Sequence, residues 1–103
     1  MDLRLRWPIL DELCTCAEQF PGVEVWAFGS MLRTQHPHDH DVLIIYTDPD
    51  HITGLYDMRL WEVSLPLLDI IAMTPDENSD YQFTEFTRAQ RLHPPPPDSA
   101  NEG

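Results

Sequence analysis

Apolar and polar positions alternate along this chain in blocks whose period changes several times. Behind Pro8, residues Ile9, Leu10, Leu13, Ala17 and Phe20 recur at three- and four-residue spacing, which predicts a helix over about residues 7–20. Pro21-Gly22 stops it. Val23 to Phe28 has the β-branched and aromatic content of a strand, and Gly29-Ser30 ends that strand abruptly. After a short polar stretch, Val42 to Tyr46 forms a continuous apolar run bounded by Asp48-Pro49, the pattern of a central strand covered on both faces. Residues 50–62 carry Ile52, Leu55, Tyr56, Met58 and Trp61 at helical spacing, weakened by Gly54 and broken at Pro66. Leu67 to Met73 is another apolar run, interrupted only by Asp69. Thr74-Pro75-Asp76-Glu77 then has the form of a capping box and opens a last helix through Tyr81, Phe86, Ala89 and Leu92. The expected order is αβ(α)βαβα, an α+β arrangement.

The 103 residues, 42% of them apolar, suffice for one core and one domain. That domain is expected over residues 1–93. Residues 94–103, four prolines followed by Asp98-Ser99-Ala100-Asn101-Glu102-Gly103, have almost nothing to bury and read as a disordered, Pro-rich acidic tail. No apolar run is long enough to cross a bilayer, and the N-terminus lacks the apolar core of a signal peptide, so a cytoplasmic location without membrane association is expected. Cys14 and Cys16 fall on different faces of the first helix and are expected to remain reduced.

Charge narrows the partners. Eighteen acids face six arginines and no lysine, for a formal net charge of −12. Such a chain repels phosphate backbones, so direct nucleic-acid binding is not expected, and any nucleotide it handles should arrive with metal ions. Asp39 and Asp41 stand at the entry to the strongest strand, and alternation sends carboxylates two residues apart to the same face, with Cα atoms about 7 Å apart. If the strand carrying Asp69 is its neighbour, that carboxylate joins them. Two such charges about 4 Å apart repel by about 4 kcal/mol at an effective dielectric near 20, which calls for a cation. Oxygen-only ligands select Mg²⁺ or Mn²⁺. Gly29-Ser30 adds backbone and hydroxyl donors for a phosphate.

The series Phe28-Gly29-Ser30, eight residues, Asp39-His40-Asp41 and an apolar strand, with Asp69 downstream in Leu67-Leu68-Asp69-Ile70-Ile71, resembles the signature of the DNA polymerase β nucleotidyltransferase superfamily, in particular its minimal domains. The resemblance covers about residues 9–92. It implies a small mixed β-sheet flanked by helices, binding of a nucleoside triphosphate, and transfer of a nucleotide, with AMP from ATP the expected case, to a hydroxyl on a protein or small molecule. Under it, Asp39 and Asp41 hold both of two metal ions, and Asp69 holds the one that activates the acceptor and is the candidate for its proton. Gly29, Ser30 and Arg33 become the nucleotide-binding residues, although pairing with one of the many acids is the simpler role for Arg33. Minimal members of the family often work with a separate helical partner protein, some as the antitoxin of a toxin–antitoxin pair. A nucleotide-binding or antitoxin-like module that acts by occupying its partner is therefore the alternative to an active enzyme. Self-association stays open.

Two positions depart from the family pattern: Thr34 stands where glycine often follows the arginine, and His40 where the residue between the aspartates is usually apolar. His36, His38 and His40 also raise the separate idea of a zinc or nickel site, against which stand the lack of a fourth ligand and the expectation that His40 points away from the aspartates. Trp26 and Trp61 read as core aromatics, and Asp76-Glu77 as helix-capping acids.

Overall fold

The computed structural model describes residues 3–34, 39–57 and 67–95. Over these the chain forms a small α+β domain with one four-stranded mixed sheet. A short helix α1 (Leu3–Arg6) leads into α2 (Pro8–Ala17), where Trp7 is extended and Pro8 occupies the first turn, needing no amide hydrogen. Leu10, Leu13, Cys14 and Ala17 form the buried stripe of α2. Strand β1 (Glu24–Phe28) alternates as its sequence requires, Val25 and Ala27 fully buried and Glu24, Trp26 and Phe28 half-buried. Trp26 keeps its indole N–H satisfied by donating to Glu24 Oε1 at 2.8 Å.

β2 (Asp39–Ile45) runs antiparallel to β1, with Phe28 opposite Asp41 and Trp26 opposite Leu43. Helix α3 (Pro49–Asp57) then leads through residues outside the described set to β3 (Leu67–Met73), which lies parallel to β2. Ile52 and Leu55 anchor α3 to the core. Gly54, a weakness by propensity alone, has a packing reason: a Cβ there would stand 2.8 Å from Cε1 of Phe20. The expected helix end at Pro66 and the role of Trp61 lie outside the described residues, as do residues 96–103 of the expected tail.

The C-terminal segment differs from its sequence reading. In place of one helix through Leu92 there are two short ones, α4 (Pro75–Tyr81) and α5 (Phe83–Thr87), followed by a fourth strand β4 (Gln90–His93) antiparallel to β1. The sheet order is β3-β2-β1-β4, and the element order ends in a strand the expected αβ(α)βαβα lacks. The start is as read: Thr74 and Glu77 exchange side-chain and backbone bonds at 3.2 and 2.9 Å as a complete capping box. The break comes at Gln82 and again at Arg88, both left-handed with φ of 52° and 54°. Asn78 secures the first break by accepting from the Thr84 backbone N–H at 3.1 Å. The segment thus crosses from one edge strand to the other, and Phe83 meets Phe28 edge-to-face at 5.0 Å, placing α5 on the Phe28 face of the sheet.

The opposite face carries the core, where Val25, Ala27, Val42, Ile44 and Leu68 meet the buried stripes of α1, α2 and α3. No helix among the described residues is long and apolar enough to cross a membrane.

The left-handed breaks give opposite signs to two substitutions in chemical denaturation. Gln82→Gly relieves a side-chain clash and is expected to stabilise by about 1 kcal/mol, whereas it would cost about that much inside a continuous helix. Thr74→Ala, which removes the cap, is expected to cost about 1 kcal/mol.

Candidate functional site

Three elements meet at the end of the sheet where β1 stops and β2 and β3 begin. β1 ends in extended backbone at Phe28, and Gly29 turns the chain with φ +83°, a conformation that suits glycine. The helix expected after Gly29-Ser30 is a single 3-10 turn, Gly29–Leu32, pinned by the buried Met31. The Ser30 carbonyl accepts from the amides of both Arg33 and Thr34 at 2.9 Å. A side chain at Gly29 could not be accommodated, because its Cβ would stand 3.0 Å from Cγ of Asp41 and still closer to Oδ2. Asp41 therefore lies directly against the bend.

The parallel register sets Asp41 beside Asp69, and Asp39 beside Leu67. Partners in register share a face, as do residues two apart, so Asp39, Asp41 and Asp69 project from one face of two adjoining strands, the face that also carries Phe28. Asp39 and Asp41 are half-buried and Asp69 is exposed. The Asp41 carboxyl is held above its usual range by partial burial first, then by the charges of Asp69 and Asp39. Among the described residues, no three His, Cys, Asp or Glu side chains are drawn together tightly enough to enclose an ion.

His40 faces the other way. It is 1% exposed, and its ring centroid lies 4.6 Å from that of Trp7. Both of its ring nitrogens, and Nε1 of Trp7, are buried without a hydrogen-bond partner among the described residues. Burial lowers the His40 pKa, with the Asp39 charge opposing. The ring thus occupies a core position, and His40 is withdrawn from any solvent-facing metal set. His36 and His38 lie outside the described residues. Neither Cys14 nor Cys16 forms a disulfide among the described residues.

A further surface feature was not visible in the sequence. Because β4 begins with Gln90 opposite Ala27, the residues just before it run alongside the end of β1 and its bend. A cleft of about 480 Å³ opens there, lined by Gly29, Leu32 and Arg33 from the bend and by Phe86, Thr87 and Arg88 from the end of α5. Among the described residues neither Arg33 nor Arg88 forms an ion pair, so the acid partner expected as the simpler role for Arg33 is not found there. Phe86 is 81% exposed. Only the position of β4 could have revealed Phe86 and Arg88, and no local pattern announced that strand.

The raised Asp41 pKa has a signed consequence for stability. A carboxylate whose folded pKa exceeds its unfolded value destabilises the native state progressively as pH rises from about the ordinary value of 3.8 to the folded pKa. Asp41→Asn is therefore expected to melt above the wild type at pH 7 in metal-free buffer, with the difference vanishing below the ordinary carboxylate range. An equal gap at pH 3 and pH 7 would count against charge as its cause.

Comparison of the chain with models of known protein families, with curated proteins and with solved structures gives no match.

Proposed function

We propose that this domain is a nucleotidyltransferase of the polymerase β type, transferring a nucleoside monophosphate from a nucleoside triphosphate to a hydroxyl group on a protein or small molecule. The observation that carries the reading is the register pairing of Asp41 with Asp69, with Asp41 pressed against the Gly29 bend and Asp39 on the same face. Gly29 and Ser30 then offer donors to the phosphates at the point where the acids gather.

In this reading the acceptor oxygen attacks the α-phosphorus, a new P–O bond forms, and the bond to the departing pyrophosphate breaks. The hydroxyl proton passes to Asp69. Asp39, Asp41 and Asp69 are the residues that would hold two Mg²⁺ or Mn²⁺ ions, which when bound supply charge neutralisation and acidify the acceptor. The donor set suits such ions: all ligands are oxygen, and the like-charge strain on Asp41 is the kind a cation relieves. ATP is the natural first donor to test, and a separate helical protein the natural first acceptor. The domain is small, and among the described residues Leu5, Tyr81 and Phe86 leave large apolar side chains exposed.

A second reading, a nucleotide-binding or antitoxin-like module without catalysis, draws on the absence among the described residues of a closed group of three potential ligands. Incubation with Mg²⁺ and ATP labelled at the α-phosphate, with and without the protein encoded beside it, separates the two. Transfer is expected for the wild type and should fall by roughly 100-fold or more in Asp69→Asn. Undiminished transfer in that variant would refute Asp69 as the proton acceptor, and nucleotide binding with no transfer would favour the module.

Metal should also be legible in melting. Millimolar Mg²⁺ or Mn²⁺ is expected to raise the melting temperature of the wild type, and the double variant Asp39→Asn, Asp41→Asn to lose that response while being more stable without metal. A metal-independent melting curve for the wild type would speak against a shared ion.

A further inference from the structure

The cleft beside the Gly29 bend was assigned no role by the signature residues beyond Gly29 and Arg33. Its volume of about 480 Å³ falls within the range of roughly 300–1,000 Å³ typical of small-ligand sites. Its lining combines two features that one ligand class requires together. The first is cationic: Arg33 from the bend and Arg88 from the end of α5 both line it, and among the described residues neither is paired, although the chain has three acids for every arginine. Guanidinium groups left uncommitted in so acidic a protein are available to an anion, and their planar fork suits phosphate oxygens. The second is aromatic: Phe86 lines the same cleft while remaining 81% exposed, and Phe28 lines it from the strand side. An exposed ring beside two arginines suits a flat base attached to phosphates better than it suits a bare anion.

We infer that this cleft is the nucleotide seat, with Arg33 and Arg88 holding the phosphates next to the Gly29 bend and Phe86 offering its ring to the base. Phe86 comes from α5 and Arg88 from its connection to β4, so the pairing of β4 with β1 has a binding role as well as a structural one. The seat opens at the same bend against which Asp41 lies, so phosphates held there adjoin the carboxylates. The inference rests on the transferase reading for its purpose, but the binding it describes is measurable without any transfer.

Arg88 allows a clean test because its backbone is left-handed, with φ 54°, so Arg88→Gly removes the guanidinium while favouring the native backbone. Titration calorimetry in Mg²⁺ buffer would compare ATP and inorganic tripolyphosphate on the wild type, Arg88→Gly, Arg33→Gln, Phe86→Ala and Arg6→Gln, the last a charge-matched control outside the cleft. Loss of a charged hydrogen-bond partner should weaken both ligands roughly 10- to 100-fold in Arg88→Gly and Arg33→Gln. Phe86→Ala should weaken ATP several-fold and leave tripolyphosphate within about twofold. Arg6→Gln should match the wild type.

The inference is overturned if the wild type binds neither ligand, if Arg88→Gly binds both as the wild type does, or if Arg6→Gln loses as much as Arg88→Gly. Nucleotide transfer with Arg88-independent binding would sink the seat and spare the transferase. Arg88-dependent binding without transfer would do the reverse.

Discussion

Two apolar strands running side by side in parallel bring two negative charges to the same level, and the proposed chemistry starts from that confrontation. Asp41 and Asp69 are partners in the β2–β3 ladder, and sliding the strands by one residue would turn one of them into the core. The register is fixed by what lies on the buried face, where Val42 and Ile44 sit beside Leu68, Ile70 and Ala72. Hydrophobic burial thus forces an electrostatic arrangement that water alone would disperse. The strain is visible where the crowding is greatest, on Asp41, which is partly buried, flanked by two like charges and pressed against the backbone of Gly29.

Glycine at position 29 divides the surface into two regions of opposite character. On the β2 and β3 side stand carboxylates, and on the β4 side two arginines and an exposed phenylalanine. In a chain of net charge −12 this local separation matters more than the total. Under the proposed reading it would give a polyanion a place to approach at short range despite a repulsive field at long range, so that association would be slow and sensitive to ionic strength.

What could be read from the sequence divides along a physical line. Elements defined by their own residues were legible: the buried stripe of α2, the unbroken apolar run of β2, the Thr74–Glu77 box, and Asp39 and Asp41 on one face by alternation, whereas Asp69 joins them only through the β2–β3 register. Elements defined by distant partners were not. β4 has a single fully buried side chain, Leu92, and is a strand because β1 offers it an edge. Gln82 and Arg88 take left-handed backbone that glycine or asparagine would have signalled, so the break between α4 and α5 carried no marker. Missing β4 meant missing the cleft, since only that pairing carries Phe86 and Arg88 to the bend. Gly54 and His40 looked like irregularities in the sequence. The ring of Phe20 explains the glycine, and the core beside Trp7 is where the histidine went, with no partner for its nitrogens among the described residues to explain the choice.

The outermost position of β3 has a consequence of its own. Among the described residues it is an edge strand, and Leu67-Leu68-Asp69-Ile70-Ile71-Ala72-Met73 is a seven-residue segment rich in β-forming apolar side chains with a single charge, Ile71 being partly open to solvent. Segments of that composition recruit copies of themselves into intermolecular sheets unless something interrupts them. Asp69 is that interruption, an acidic gatekeeper in the middle of a sticky edge. An acid at this position therefore serves solubility whatever else it does, and replacing it with an apolar residue would leave the edge unguarded.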